Sequence, residues 1–370
     1  MFGLNRKKPA ADTLTARSAG RLLPEIISHR LDEYAVDIHW SADGNFFAAL
    51  PGVGRIVVCD AAGEIVVMLP GHHGGNGGIA WHPQRPALAT YGQDSVIRIY
   101  EAPFTRPPLE FPLETGWAER LAWNPDGSLL AACVGKSLHI LDGATGALRQ
   151  TFADHKTTIC DISWNPKRLR EIASVCDGGA RMWRIGEEKA IGHFDWGGAS
   201  LLVSWSPNGR WVATGDQTPS VHLYDTSRQH PLHIQGYETK VKAIAWQSDG
   251  AWLATGGAPS ITVWPTTGKK GPERASPIQL GGHIRDAQAL DFQPGQPVLV
   301  SGGRDGLVLL WLPQSSAEPA LIAQRESEIT AVRWSPDGLS LAFGTADGEV
   351  TLCRLAQDPS RNGVGPSCST

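Results

Sequence analysis

Residues 203–225 read VSWSPNGRWVATGDQTPSVHLYD and contain the pattern that decides the fold. Val203 stands two positions before Trp205, and a Ser-Pro-Asn-Gly turn follows at once. Pro restricts φ, and Asn-Gly supplies the positive φ of a tight hairpin corner. Two short runs rich in apolar and β-branched residues come next, WVATG and SVHLY. The stretch therefore predicts three consecutive antiparallel strands.

The same arrangement recurs along the whole chain at intervals of 41 to 46 residues. The repeating position, which we call the mark, is occupied by Trp40, Trp81, Trp123, Trp164, Trp205, Trp246, Phe292 and Trp334. All eight residues two places before a mark are aliphatic, and a weaker fourth strand such as EIVVML at 64–69 ends the repeat. Four antiparallel strands in a repeat of this length predict the blade of a β-propeller.

Eight marks predict an all-β chain that forms one eight-bladed β-propeller; a seven-bladed ring with one degenerate repeat outside it is the alternative count. The last repeat ends after its third strand, EVTLCRL, whereas an apolar stretch at Leu22–Ile27 precedes the first. We expect this N-terminal strand to complete the last blade, because pairing removes an open sheet edge. The predicted propeller covers 19–356, between flexible tails at 1–18 and 357–370.

Short motifs inside these repeats resemble those of the WD-repeat β-propeller family. Gly71–His72, Gly192–His193 and Gly282–His283 precede first strands, and three tryptophans end third strands. The latter are Trp183, Trp264 and Trp311. No repeat keeps a full Trp-Asp pair, so the chain is similar to degenerate repeats of a bacterial type. The resemblance implies the propeller fold and a role in binding other proteins.

In that family a buried hydrogen-bond relay links His, Ser or Thr, Asp and Trp within a blade. When the family's relay positions are carried over to this sequence, the resemblance implies two relays. One consists of His283, Ser301, Asp305 and Trp311, and the other of His155, Ser174, Asp177 and Trp183. A Ser-His-Asp hydrolase is the alternative interpretation of these residues. It is disfavoured because the chain has no GxSxG elbow.

Composition excludes several other classes of protein. The formal net charge of −4 provides no strong electrostatic footprint for nucleic acid. No apolar run approaches the roughly 18 residues of a spanning helix, and no secretory signal is recognised. Six widely spaced cysteines predict neither a disulfide framework nor a zinc ribbon. We therefore predict a cytoplasmic protein without metal or cofactor; a transit-like N-terminus is the alternative.

Four weaker signals suggest other activities. The adjacent residues His72 and His73 suggest zinc binding. The glycines of residues 71–78 suggest a phosphate-binding loop, but no GK[ST] follows them, and we interpret the segment as a connection between blades. LDGATGALRQTF at 141–152 faintly resembles the turns of quinone-dependent dehydrogenases. The 12 histidines suggest a metal-handling accessory protein. The quinone-dependent dehydrogenase and the metal-handling protein remain the alternatives to a scaffold function.

The preferred function is a non-catalytic scaffold or adaptor, monomeric by itself, that binds a protein or peptide on one propeller face. The positions six residues before each mark border that face and are expected to point outward, while their neighbours point inward. The candidate partner-binding residues are Tyr34, Trp117, Glu119, Arg120, Trp196, Tyr237, Lys240, Arg285, Asp286 and Glu328. Trp117 and Trp196 lead this set, because neither is a mark and aromatic residues near Arg are typical of interface hot spots.

Overall fold

The computed structural model describes residues 24–113, 116–226 and 231–355, and both predicted tails lie outside these ranges. Within them the chain is all β, with one turn of 3-10 helix at Gly271–Arg274 and no α-helix. This content follows from short apolar runs separated by Gly and Pro turns, which leave no room for a long amphipathic helix.

Thirty strands are present in the described residues. The first fifteen are β1 (Glu25–Arg30), β2 (Ala35–Trp40), β3 (Phe46–Pro51), β4 (Ile56–Asp60), β5 (Ile65–Leu69), β6 (Asn76–Trp81), β7 (Ala87–Gly92), β8 (Val96–Glu101), β9 (Leu109–Pro112), β10 (Arg120–Trp123), β11 (Leu129–Val134), β12 (Ser137–Asp142), β13 (Leu148–Phe152), β14 (Asp161–Trp164) and β15 (Glu171–Arg184). The others are β16 (Gly192–Trp205), β17 (Trp211–Asp216), β18 (Ser220–Asp225), β19 (Leu232–Gln235), β20 (Ala243–Trp246), β21 (Trp252–Gly256), β22 (Ser260–Pro265), β23 (Ile278–Gly281), β24 (Ala287–Phe292), β25 (Leu299–Gly303), β26 (Leu307–Leu312), β27 (Ser316–Gln324), β28 (Ile329–Trp334), β29 (Ser340–Thr345) and β30 (Glu349–Arg354).

The first repeat shows how the sequence pattern becomes a blade. Strands β2, β3, β4 and β5 pair antiparallel in chain order. The turn between β2 and β3 is closed by the Gly44 amide, which donates to the Ser41 carbonyl at 2.9 Å. Gly44 has φ 71°, the left-handed conformation that the sequence analysis expects of the glycine in an Asp-Gly turn. The prediction of four-stranded antiparallel blades is confirmed.

The strands form seven hydrogen-bonded sheets, the alternative count of the sequence analysis, rather than eight separate ones. Six sheets have four strands, and the seventh runs β14-β15-β16-β17-β18-β19. The fourth and fifth repeats share this sheet because β15 and β16 are each 14 residues long. The start of β16 pairs with β15 and its end pairs with β17, since the chain stays extended between the two repeats. All eight sequence repeats are nevertheless present within the seven sheets.

The sheets close into a ring around a central channel. Each first strand contacts the first strand of the next repeat, and β28 contacts β2. The N-terminal strand β1 pairs with β30, with Ser28 opposite Thr351, so the last repeat obtains its fourth strand from the start of the chain. The predicted closure is confirmed: the strand is Glu25–Arg30, and the start of the predicted stretch, Leu22 and Leu23, lies outside the described residues.

The hydrophobic core is divided among the junctions between repeats. The buried apolar residues form eight clusters, each contributed by two neighbouring repeats. One of them packs Trp205 and Val203 of the fifth repeat against Val175 and Met182 of the fourth. Second strands such as β17 are buried along their whole length, because a sheet covers them on either side. This explains their continuous apolar sequences.

The mark tryptophans also connect repeats by hydrogen bonds. The indole N–H of Trp81 donates to the carbonyl of His39 at 2.9 Å, and that of Trp164 donates to the carbonyl of Ala122 at 2.9 Å. In each case the acceptor is the residue before the preceding mark. The regular spacing of the marks in the sequence therefore reflects the register between neighbouring first strands.

Four cysteines, Cys59, Cys133, Cys176 and Cys353, are buried, and Cys160 is half-buried. Burial raises the pKa of Cys59 and of Cys353 to about 12, so these thiols stay protonated and pack as small apolar side chains. Cys368 lies outside the described residues.

Candidate functional site

The segments before the first strands and the loops between second and third strands emerge on one side of the ring, which we call the upper face. Backbone hydrogen bonds hold them together. The Gly52 amide donates to the Tyr34 carbonyl at 3.2 Å, and the Gln93 amide donates to the Gly75 carbonyl at 3.0 Å. The same bond recurs at Ala199, Asp286 and Glu328, which accept from the Gln217, Arg304 and Ala346 amides.

Outward and inward positions alternate on this face as the strand geometry requires. Tyr34 is 48% exposed and Trp117 is 52% exposed, whereas the following residues, Ala35 and Ala118, are buried. Gly116, with φ 73°, turns the chain just before Trp117. The Trp117 indole thus lies half in solvent, next to the buried Ala118 in the chain.

A segment poor in side chains separates these two aromatic residues, because the second repeat lies between the first and the third. Gly74 and Gly75 have φ values of 84° and 133°, which favour glycine. The Gly75 amide donates to the His72 carbonyl at 3.2 Å and the Asn76 amide to the Gly52 carbonyl at 2.9 Å. These amides are used within the chain, which argues against the phosphate-loop interpretation.

The charged residues predicted for this face are partly engaged with one another. Asp286 accepts from Lys242 at 2.6 Å, and Glu328 accepts from Arg304 at 2.9 Å. Lys240 and Arg285 are exposed. The remaining charged candidates are Arg120 and Glu119.

Arg120 pairs with Asp161 at 3.3 Å, and Asp161 lines the central channel. Burial raises the pKa of Asp161, although Arg120 opposes the rise. Glu119 is half-buried, and its carbonyl accepts a hydrogen bond from the Tyr91 hydroxyl at 3.2 Å. Burial also raises the pKa of the Glu119 carboxyl. Arg120 is thus exposed while reaching a carboxylate of the channel, and Glu119 is half-buried beside it.

Trp196 and Tyr237 do not lie on the exposed face, which corrects the sequence analysis. Each stands nine residues before a mark, the position that His283 occupies in its own repeat. The Trp196 ring packs 4.5 Å from His222, and its buried Nε1 has no hydrogen-bond partner. The Tyr237 hydroxyl accepts from Trp264 Nε1 at 3.0 Å. Their offset from the mark was a signal that sequence analysis could have used.

One relay is complete in the seventh repeat. Trp311 Nε1 donates to Ser301 Oγ at 2.8 Å, Ser301 Oγ lies 2.7 Å from His283 Nε2, and His283 Nδ1 lies 3.0 Å from Asp305. Burial lowers the pKa of His283 despite Asp305, so the imidazole is neutral and its Nδ1–H donates to the carboxylate. The Ser301 hydroxyl then donates to Nε2. A fully buried hydroxyl used in this way is structural.

The second predicted relay lacks its carboxylate. His155 Nε2 lies 2.7 Å from Ser174 Oγ, which also accepts from Trp183 Nε1 at 2.8 Å. His155 Nδ1 instead donates to the Lys136 carbonyl at 3.0 Å, and Asp177 is exposed in the hairpin corner. Asp177 is therefore wrongly assigned, because one residue fewer separates it from the serine and the shorter turn carries it away from the imidazole.

A relay that the sequence analysis missed lies in the second repeat. His72 Nδ1 is 2.7 Å from Asp94, and His72 Nε2 is 2.9 Å from Thr90 Oγ1. The spacing equals that of the complete relay, but Tyr100 replaces the tryptophan and hid the match. His72 is buried in these contacts, which argues against the suggested His72–His73 zinc pair.

The fifth repeat replaces the relay by a buried carboxylate that sequence analysis also missed. Asp216 accepts hydrogen bonds from Ser200 at 2.7 Å and Ser220 at 2.9 Å, and it lies 2.7 Å from His222 Nδ1. Thr214 Oγ1 donates to it at 3.1 Å. A buried carboxylate requires such partners. The histidine and its acid are thus internal to the blade.

The central channel carries a charged belt that no motif indicated. Asp37 accepts from Arg333 at 3.1 Å and lies 2.8 Å from His39 Nε2. Nearby, Asp291 accepts from the Trp334 amide at 2.7 Å, and burial raises its pKa to about 6. These side chains come from the first strands of adjacent repeats, which only the closed ring brings together.

Residues 24–113, 116–226 and 231–355 carry neither a metal-binding cluster nor a membrane-spanning helix. No group of three or more His, Cys, Asp and Glu side chains there is placed to hold a metal ion. No helix in the same ranges has the length and apolar character needed to cross a bilayer.

Comparison with known proteins agrees with the WD-repeat resemblance. The family model described as WD domain, G-beta repeat, matches residues 146–184, 198–225, 229–264 and 276–311. These stretches fall in the third to seventh repeats. Four parts of the chain, less than half of its length, are therefore similar to WD repeats.

Three curated relatives illustrate the range of similar proteins. THO complex subunit 3 of Arabidopsis thaliana is 24% identical over 203 residues, covering 52% of this chain and 61% of the relative. Protein HIR1 of Candida albicans is 23% identical over 270 residues, covering 62% of this chain and 29% of the relative. WD repeat-containing protein 1 of Xenopus tropicalis is 26% identical over 161 residues, covering 41% and 25%. The chain thus spans less than two thirds of each, and these eukaryotic relatives do not support a bacterial type.

Proposed function

We propose that this chain is a non-catalytic scaffold or adaptor of WD-repeat type that binds a protein or peptide partner on its upper face. The observation that carries the proposal is the exposure of Trp117. About half of its surface, 52%, is in solvent, although every mark tryptophan is buried or half-buried. An exposed indole provides a large apolar contact area, which is typical of interface hot spots.

Tyr34 and Val53 extend the proposed contact area. They are 48% and 53% exposed, and the Tyr34 ring lies across Gly52, where a Cβ atom would come within 2.4 Å of it. Gly52 therefore allows the ring to lie flat against the loop. Exposed charges at Lys240 and Arg285 provide the polar rim that specific interfaces have.

The proposed lack of catalysis is supported by the hydrogen bonds that already occupy the hydroxyl groups of the candidate nucleophiles. Ser301 and Ser174 are buried, and each is enclosed between an indole and an imidazole. Neither hydroxyl faces a cleft where a substrate would bind. The printed name of THO complex subunit 3 describes a component of an assembly, which agrees with an adaptor role for this chain. Monomeric state and cytoplasmic location remain predictions, checked by sedimentation and cell fractionation.

Affinity purification from the native cell tests the proposal. The full chain is compared with a Tyr34→Ala/Trp117→Ala variant and with Leu148→Ala, which removes a residue 59% exposed on an outer strand, away from the upper face. We expect a specific partner to be lost with the double variant and kept with the control. Equal recovery of all partners by the three proteins contradicts the assignment of the face.

A further inference from the structure

A second surface lies on the side opposite the upper face, between the third and fourth repeats. A cleft of about 760 Å³ is present there. The turns that follow the marks Trp123 and Trp164 form its walls, together with the ends of the third strands β12 and β15. It shares no residue with the upper face and plays no part in the function proposed above.

The repeat pattern breaks at this cleft. The turn after a mark reads SADG, NPDG, SPNG, QSDG or SPDG in five repeats, but NPKRLR at 165–170 in the fourth. It is also one residue longer: Trp164 pairs with Ile172, whereas Trp123 pairs with Leu130, and the other six turns have the shorter length. Fold closure does not require this change, because the seven shorter turns make the same hairpin.

Four arginines surround the cleft: Arg149, Arg168, Arg170 and Arg184. Arg168 and Arg184 both donate to Glu171, at 3.3 and 2.8 Å, and Glu171 is only 3% exposed. Arg149 donates to Asp142 at 2.6 Å while remaining 59% exposed. Among the described residues, the Arg170 guanidinium has no hydrogen-bond or ion-pair partner.

Donors exceed acceptors in this cleft. Glu171 is already occupied by Arg168, Arg184 and Asn165. The Asp142 carboxylate accepts from the Ala144 and Thr145 amides as well as from Arg149, and these bonds hold its pKa far below the ordinary value. Each guanidinium has five N–H groups, and most of them remain available. The cleft can therefore accept additional negative charge.

An apolar surface accompanies the arginines. Leu169 is 40% exposed, and Leu129 and Ile185 also line the cleft. The point at which two guanidiniums converge is filled by Glu171, so the remaining donors are spaced around apolar side chains. This arrangement suits several separated carboxylates better than one phosphate, which needs converging donors. A continuous phosphate backbone is disfavoured by the net charge of −4 and by the carboxylates of the cleft.

We propose that this cleft is a docking site for an acidic peptide segment of a partner protein. Glu or Asp side chains of the segment pair with Arg149 and Arg170, and an aliphatic side chain between them packs on Leu169. Electrostatic complementarity of this kind determines specificity and association rate, and salt weakens it.

Selection from a phage-displayed library of random twelve-residue peptides tests the site. The full chain is the bait, with Arg149→Glu/Arg170→Glu as the test variant and Arg304→Glu as the matched control on the upper face. We expect peptides with acidic residues around an aliphatic one to be enriched by the wild type and the control only. The affinity of an enriched peptide should fall about tenfold or more in the test variant and several-fold from about 50 to about 300 mM salt.

Three outcomes overturn the proposal: no acidic-aliphatic enrichment, equal enrichment by the test variant, or preferential binding of a phosphoserine peptide or a polyuridine strand. Leu169→Ser separates the apolar contact from charge and should weaken the enriched peptide without changing its salt dependence. Because Arg149→Glu also removes the ion pair with Asp142, Arg170→Glu alone, which loses no partner among the described residues, is a second test variant, and a native circular-dichroism spectrum shows that each variant is folded. Failure of this test leaves the upper-face proposal unaffected, since that concerns other residues and another assay.

Discussion

The indole N–H of Trp40 donates a hydrogen bond to the carbonyl oxygen of Arg333 at 3.2 Å, although 293 residues separate them. This is the same contact that Trp81 makes with His39 and Trp164 with Ala122. The first and last repeats are therefore joined by the same bond as the first four repeats are to one another, whereas the buried Nε1 of Trp205, Trp246 and Trp334 has no partner in the described part of the chain. Ring closure thus uses a junction that the chain also uses between neighbouring repeats.

Replacement of Trp40 by Phe tests this bond. Trp40→Phe keeps an aromatic ring at the mark, as Phe292 does naturally, but leaves the Arg333 carbonyl without its donor. We expect the free energy of unfolding to fall by about 1–3 kcal/mol in denaturant titrations. Trp334→Phe is the control, because the buried Nε1 of Trp334 has no partner. A loss as large in the control would show that ring volume, not the hydrogen bond, matters.

Truncation of a mark tests the core at a repeat junction. Trp205 is 5% exposed and packs against the fourth repeat. Trp205→Ala should cost about 3–5 kcal/mol, since it leaves a cavity between two repeats. Chemical denaturation measures the loss. A cost below about 1 kcal/mol would indicate that the mark is not a core anchor.

The exposed indole should behave in the opposite way. Trp117→Ala removes a side chain that is 52% exposed, so the change in unfolding free energy should stay within about 0.5 kcal/mol. The same variant should weaken the complex with an upper-face partner. Differential scanning calorimetry and partner capture separate the two effects, and a large drop in melting temperature would place the ring in the core.

The His155 relay should make stability depend on pH. Burial lowers the pKa of His155 from 6.5 to about 4. The unfolded state therefore binds a proton first, and stability is lost as pH falls from about 6.5 toward about 4. This group contributes up to about 3 kcal/mol to the change. In His155→Gln the loss across that window should be smaller by this amount; identical pH profiles of unfolding free energy for the two proteins would contradict the assignment.

Removal of the N-terminal strand should expose an edge. Without Glu25–Arg30 the backbone of β30 has no partner on one side, and unpaired edges promote aggregation. A chain starting at residue 31 should melt at lower temperature and associate in sedimentation experiments. A chain starting at residue 24 keeps the strand and is the control. Equal behaviour of both truncations would show that β1 does not close the ring.

The repeat pattern was sufficient for the local structure. Marks, turns and alternating strands are encoded within about 41 residues each, so hairpins such as β2-β3 and β17-β18 could be predicted without knowledge of the rest. Closure by β1 was also predictable, because the last repeat lacked a strand. The sheet count was not, since it depends on whether the chain leaves the sheet between Trp196 and Ser200, which no turn motif signals.

Candidate site residues were predicted less well than the fold. Trp117 and Tyr34 lie on the upper face as the alternation required. Trp196 and Tyr237 lie inside blades because they occupy the position that histidine takes elsewhere. A single aromatic residue carries no sign of whether its ring points to solvent or to a neighbouring strand.

Local sequence is enough to predict the strands and the turns, because both depend on residues close together in the chain. The even spacing of the marks also indicates which residues face each other at a junction. Tertiary structure alone decided which charges meet. Arg333 and Asp37 form a pair in the channel across 296 residues, and Arg170 and Arg149 share a cleft between repeats. Such encounters depend on how neighbouring sheets are placed around the ring, and side-chain spacing along one strand contains no information about that placement.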